Sequence, residues 1–167
     1  MRTLQLALWI IACTTTSGCD GVIDLLPTSG GADVVPAEWG EMLVAVNQLR
    51  AEGRDCGGTY YGPVEPLAWN RNLASAAIRH SNDMAEHDHF AHVGTDGSTV
   101  GDRVSQAGYE WREVGENIAH NQQSISEVVE AWANSSGHCA NIMGDGFVEI
   151  GAAETDRYWT QVFGRPR

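Results

Sequence analysis

The chain has 167 residues, which is room for one domain with a single core. With 43% hydrophobic and 19% charged residues, the composition excludes a disordered tail and a multi-span membrane protein. The formal net charge is −12 and all ten basic residues are arginine. Such a chain repels phosphate backbones and anionic membrane surfaces, so nucleic acid is not an expected partner.

Residues 4–12 (LQLALWIIA) form a short, largely apolar run after Arg2. The run is well below the about twenty residues of a spanning helix and suits the core of a secretory signal peptide. Thr16-Ser17-Gly18-Cys19 then resembles a bacterial lipoprotein signal: residues 1–18 are removed and Cys19 is acylated. Thr16 stands where such signals usually carry leucine. Ile10-Ile11-Ala12-Cys13 fits that wording better but leaves a very short signal, so Cys13 is the alternative, and a cleaved signal without lipid is another. Residues 19–36, with Gly, Pro and Asp in no period, read as a lipid-anchored linker.

Apolar residues at helical spacing predict a helix over 37–52, with Trp39, Met42, Leu43, Val46 and Leu49 on one stripe. Residues 54–68 read as an irregular loop. A second helix is predicted over 70–88, capped by Asn70, then a turn at 93–98 and a short helix near 99–107. Residues 109–119 read as a strand or extended segment. A helix over 124–134 opens with Ser124 and Glu127 as a capping box. The period then changes: 147–154 and 158–164 read as strands joined by Thr155-Asp156-Arg157. Helices first and strands last imply an α+β domain.

Cys56 and Cys139 remain after export, and an oxidising compartment favours a disulfide between them; two unpaired buried thiols are the alternative. Neither belongs to a CxxC pair, so a cysteine-based zinc site is not expected. Six histidines stand out, four of them within residues 80–92. His87, His89 and His92 could form a local site, but a solvated helix end accounts equally for the first two. His80 falls on the apolar stripe and reads as a hydrogen-bonded core histidine. Gly115-Glu116-Asn117-Ile118-Ala119 places a carboxylate at the edge of a core. In Trp132-Ala133-Asn134-Ser135-Ser136-Gly137-His138 a helix ends at a glycine and an imidazole follows at a loop mouth. No GxSxG elbow, HExxH pair or dinucleotide fingerprint is present.

In order, PLAWN (66–70), HSNDMA (80–85), FAH (90–92), GENIA (115–119), the W-x-x-S-x-G-H run (132–138), NIM (141–143) and YWTQVFG (158–164) resemble the CAP superfamily. Its members include cysteine-rich secretory proteins, antigen five and pathogenesis-related proteins; the short bacterial branch is the nearest match. The resemblance implies a CAP domain over 37–165, built as a three-layer α-β-α sandwich with a small, mainly antiparallel central sheet. It also implies a cleft with His92 and His138 as ligands of a divalent metal, zinc being the expected ion, and Glu116 beside them. Ser135, His80 and Asn117 complete the expected cleft. Ser135 departs from the pattern, since animal and plant members often carry glutamate there.

Two imidazoles and one carboxylate do not readily supply both a metal site and a separate base. The first reading is therefore a non-enzymatic, monomeric, exported module for a metal and a lipid or envelope-derived ligand, touching the membrane only through its anchor. A metal-dependent hydrolase with Glu116 as general base is the alternative, and a structural envelope lipoprotein with a relic cleft is the third.

Overall fold

The computed structural model describes residues 33–167. The expected signal, Cys13, Cys19 and most of the linker lie outside the described residues. The end of that linker already touches the domain: Asp33 Oδ2 accepts the Arg71 amide at 2.7 Å, and Val35 packs on the core.

A 3-10 turn (Ala37–Trp39) leads into α1 (Gly40–Glu52). Met42 and Val46 are buried on the inner face of α1, and so is Arg50. The Arg50 guanidinium donates to the carbonyls of Glu65, Ile142, Gly144 and Phe147, which satisfies a cation inside the core. The expected loop at 54–68 contains a small antiparallel ribbon, β1 (Arg54–Asp55) with β2 (Tyr60–Tyr61), and ends in β3 (Ala68–Trp69).

Helix α2 (Arg71–His87) begins where Asn70 Oδ1 accepts the amides of Asn72 and Leu73. Helix α3 (Val100–Gln106) is capped reciprocally by Thr99 and Asp102. Only half of the expected Ser124 box forms. Ser124 Oγ caps the Glu127 amide of α4 (Ile125–Ala133), but the Glu127 carboxylate reaches the Gln123 amide instead of the Ser124 amide. A further helix, α5 (Ser136–Ile142), occupies the stretch read as a loop mouth.

Four strands form the central sheet in the order β3-β5-β6-β4, with β4 at Trp111–His120, β5 at Glu149–Thr155 and β6 at Tyr158–Pro166. Among the described residues, only the short β3–β5 pairing is parallel. The β5–β6 hairpin turns at Asp156 and Arg157, both with positive φ (49° and 67°), as a two-residue turn between twisted strands requires.

Strand β6 shows why the domain has three layers. Its alternate residues Val162 and Thr160 face α2, where Thr160 Oγ1 accepts from Ser81 Oγ at 3.0 Å. Trp159, Gln161 and Phe163 face the opposite layer of α1, α4 and α5. The chain therefore has the α+β, three-layer architecture that the resemblance implied. Helix α2 lies very close to the sheet at Gly151, where an added Cβ would stand 2.1 Å from the Ala74 backbone nitrogen.

Candidate functional site

The site gathers on β4, an edge strand of the central sheet, because consecutive β4 residues point to opposite faces. Glu116 faces the α2–α3 layer, where it meets Arg103 and His80. Asn117 faces the other way and is fully buried: its Nδ2 donates to Gln161 Oε1 at 3.0 Å and to the His138 carbonyl at 3.2 Å. The two residues expected to share a cleft thus serve different layers.

Both Glu116 oxygens are occupied. Oε1 lies 2.8 Å from His92 Nδ1, and Oε2 accepts from Arg103 Nη2 at 2.6 Å. Arg103 Nη2 also donates to the His92 carbonyl at 3.1 Å, and its Nη1 to the Ser98 carbonyl at 2.7 Å. One buried guanidinium therefore holds the acid and the loop that carries the histidine. The His92 side chain itself is 57% exposed. Its hydrogen bond to Glu116 raises its pKa above the ordinary imidazole value, although burial opposes this.

His138 comes from the opposite side, on α5. Its Nδ1 lies 2.9 Å from Ser135 Oγ, the departure from the animal and plant pattern. Burial, and then the neighbouring His92 ring, lower its pKa, which favours the neutral imidazole. Helix α5 is tied to β4 by Asn141 Nδ2, which donates to Asn117 Oδ1 at 2.9 Å and to the Glu116 carbonyl at 3.1 Å. Next to His138, Cys139 is bonded to Cys56, so the disulfide reading holds and the two-thiol alternative does not.

His80 is in the core as expected, with only a long contact to the Ala91 backbone as a hydrogen bond. It is fully buried, its Nε2 stands 3.8 Å from Glu116 Oε1, and among the described residues neither ring nitrogen has a hydrogen-bond partner of ordinary length. Burial lowers its pKa and the Glu116 charge only partly offsets this. The local His87–His89–His92 grouping is not assembled: His87 Nδ1 lies 2.9 Å from the Asp83 carbonyl and His89 Nε2 lies 3.1 Å from the Val93 carbonyl. Among the described residues, no three His, Cys, Asp or Glu side chains converge as a metal cage.

An open depression of about 450 Å³ adjoins His138. Phe90, Ile118, His120 and Trp132 supply its apolar and aromatic walls, with Ser135 and His138 at the polar end. His120 is stacked on Tyr158 with ring centroids 3.8 Å apart. Sequence reasoning missed this wall, and it missed Arg103, because an arginine on a short amphipathic helix carries no local sign of burial.

The sequence model of the cysteine-rich secretory protein family (CAP) matches residues 43–163. This chain belongs to the CAP family. It is similar to two Bacillus subtilis (strain 168) proteins and spans less than half the length of either. One is "Uncharacterized membrane protein YlbC", 33% identical over 97 residues, 58% of this chain and 28% of that protein. The other is "Uncharacterized protein YkwD", 35% identical over 102 residues, 60% and 40%. Among solved structures, an extracellular SCP-domain protein of Bacillus anthracis str. Ames aligns with TM-score 0.68 and 29% identity, over 75% of this chain and 39% of that one. An outer surface protein of Borrelia burgdorferi shares the fold at TM-score 0.61 and 18% identity, over 82% of this chain and 100% of that one. In the CAP domain described here, two of the three residues expected at the cleft centre, His92 and Glu116, are in direct contact.

Proposed function

We propose that this CAP protein is an exported, non-enzymatic binding module. Its cleft takes a divalent cation, zinc, between His92 and His138, and an apolar or envelope-derived ligand in the adjoining depression. The observation that carries the reading is the engagement of both Nδ1 atoms, by Glu116 and by Ser135. Each ring is thereby oriented with Nε2 left as its free nitrogen, the arrangement that suits imidazole ligands supported from behind. Glu116 serves as that outer support and not as a third ligand. With both oxygens held by Arg103 and His92, it is also poorly placed to act as a base on water, which weighs against the hydrolase alternative.

Two imidazoles leave several coordination positions to solvent or ligand. A divalent ion held there would supply a fixed positive charge beside the aromatic wall. The decisive experiment is calorimetric titration of zinc into the full chain and into His92→Ala/His138→Ala. The reading expects about tenfold or greater loss of affinity with the fold intact; equal affinities would reject it. The ligand half is tested by native mass spectrometry of protein recovered from the envelope, where a co-purifying apolar molecule is expected.

Export is supported by the apolar run at 4–12 and by the relatives, described as an extracellular protein, an outer surface protein and a membrane protein. The proposed anchor is a lipid on Cys19, with Cys13 as the alternative. Cys19→Ser should move the protein from membrane to soluble fractions, or block its processing, and the mass of the N-terminal peptide distinguishes the two cysteines.

A further inference from the structure

A second cavity, of about 380 Å³, lies between α1 and α4. It shares no residue with the depression beside His138. On α4, Val129, Glu130 and Ala133 line this groove, whereas Ala131 and Trp132 line the other cavity. Its floor is apolar: Ala45 and Leu49 from α1 are half-buried, and Val129 and Ala133 are buried. Its rim is acidic. Glu41 and Glu52 stand at the two ends of the α1 wall and Glu130 stands on the α4 wall, all three exposed.

Among the described residues, none of these carboxylates is in an ion pair. Arg54, the cation lining the groove, is turned to other work: its Nε donates to the Ala133 carbonyl and its Nη2 to Asn134 Oδ1, both at 2.9 Å. It closes the end of α4 and, among the described residues, makes no ion pair with a rim carboxylate, so the lining sets three acids against one cation.

The spacing of the acids selects among occupants. Glu41, Ala45, Gln48, Leu49 and Glu52 recur at helical spacing and so share one face of α1. The end-to-end separation of Glu41 and Glu52 along the axis is about 16 Å, or three turns. A small monovalent cation would meet only one of them. A fatty acid would bring a carboxylate to an acidic rim. A second copy of this chain would bring a body of net charge −12.

We propose that the α1–α4 groove is a docking site for a basic amphipathic peptide segment of a partner, about three helical turns long. Its apolar face would lie on Leu49 and Val129, and its cations would meet Glu41, Glu52 and Glu130. The complementarity is of the helix-in-groove kind, with apolar anchors in the floor and charges setting register along the rim.

The test uses the full chain and a fluorescent synthetic leucine–lysine amphipathic peptide about three turns long, read by anisotropy at low and physiological salt. The groove variant Glu41→Gln/Glu52→Gln/Glu130→Gln should raise Kd about tenfold or more. A control of equal charge change away from the groove, Glu86→Gln/Glu110→Gln/Asp156→Asn, should stay within about twofold. A peptide with its leucines replaced by serine should bind far more weakly to the unaltered chain. Equal losses in the two triple variants would reduce the effect to bulk charge and overturn the proposal. So would unchanged binding by the groove variant, equal binding of the serine peptide, or self-association of the unaltered chain that the groove variant abolishes.

Discussion

Arg103 Nη2 lies 2.6 Å from Glu116 Oε2, and the two side chains are only 1% and 3% exposed. The same guanidinium carries the His92 carbonyl. The exposed histidine is therefore positioned from below by a buried ion pair and not by its own loop alone.

Breaking that pair should cost far more than removing it. Arg103→Leu leaves the Glu116 carboxylate buried without its cation and should destabilise the fold by about 3–5 kcal/mol. Arg103→Leu combined with Glu116→Leu should recover much of that loss. Urea denaturation of the singles and the double measures the coupling; additive losses would show that the pair acts as two independent residues.

His80 should make the domain acid-sensitive. Its pKa is lowered in the fold, chiefly by burial, so the unfolded chain takes up a proton first as pH falls. The stability it contributes is fully present above about pH 6.5 and is lost as pH drops toward its depressed folded value. His138, also lowered, has the same sign. His92, raised by Glu116, has the opposite sign: its contribution is present below about pH 6.5 and fades as pH rises through the folded value. His80→Gln should flatten the acid-side slope of unfolding free energy against pH, measured by urea titration at a series of pH values; an unchanged slope would assign the acid sensitivity elsewhere.

The Cys56–Cys139 bond closes a sequence separation of 83 residues. In the chain-entropy account, Cys56→Ser/Cys139→Ser should lose roughly 4 kcal/mol. Thermal melts of the oxidised and reduced protein should show a similar difference, and coincident melts would contradict it.

Gly151→Ala should be poorly tolerated although alanine suits a strand. The new methyl would stand 2.1 Å from the Ala74 nitrogen and 2.4 Å from the Leu73 carbonyl carbon, so α2 must lift off the sheet. A loss of about 3 kcal/mol is expected, read as a lower denaturation midpoint at unchanged far-ultraviolet dichroism.

The elements legible in the sequence are those set by local pattern: α1, α2 with its Asn70 cap, α3, β4, α4, and the β5–β6 hairpin with its turn at 156–157. What stays hidden depends on contacts far away in sequence. Helix α5 has turn-forming residues around Gly137, and it is held by the bond to Cys56 and by Asn117 and Asn141 bridging to β4. The role of Arg103 exists only because Glu116, thirteen positions on, turns its side chain to the α3 side of β4. Adjacency groups Asn117 with Glu116, whereas strand geometry separates neighbours onto opposite faces. Pattern alone singles out His92 and Glu116 separately; that they share one site is legible only through the motif resemblance, since nothing in the intervening residues signals that they meet.

The disulfide also has a mechanical meaning. His80, His92, Arg103, Glu116, Ser135 and His138 all fall between Cys56 and Cys139 along the chain. Tension applied between the two chain ends would pass across the sulfur bridge and bypass that whole segment. Roughly 280 Å of extended chain is withheld from stretching at about 3.4 Å per residue, so a protein tethered at one end and dragged at the other would give up α1 and β6 while the backbone carrying the histidines stayed off the load path.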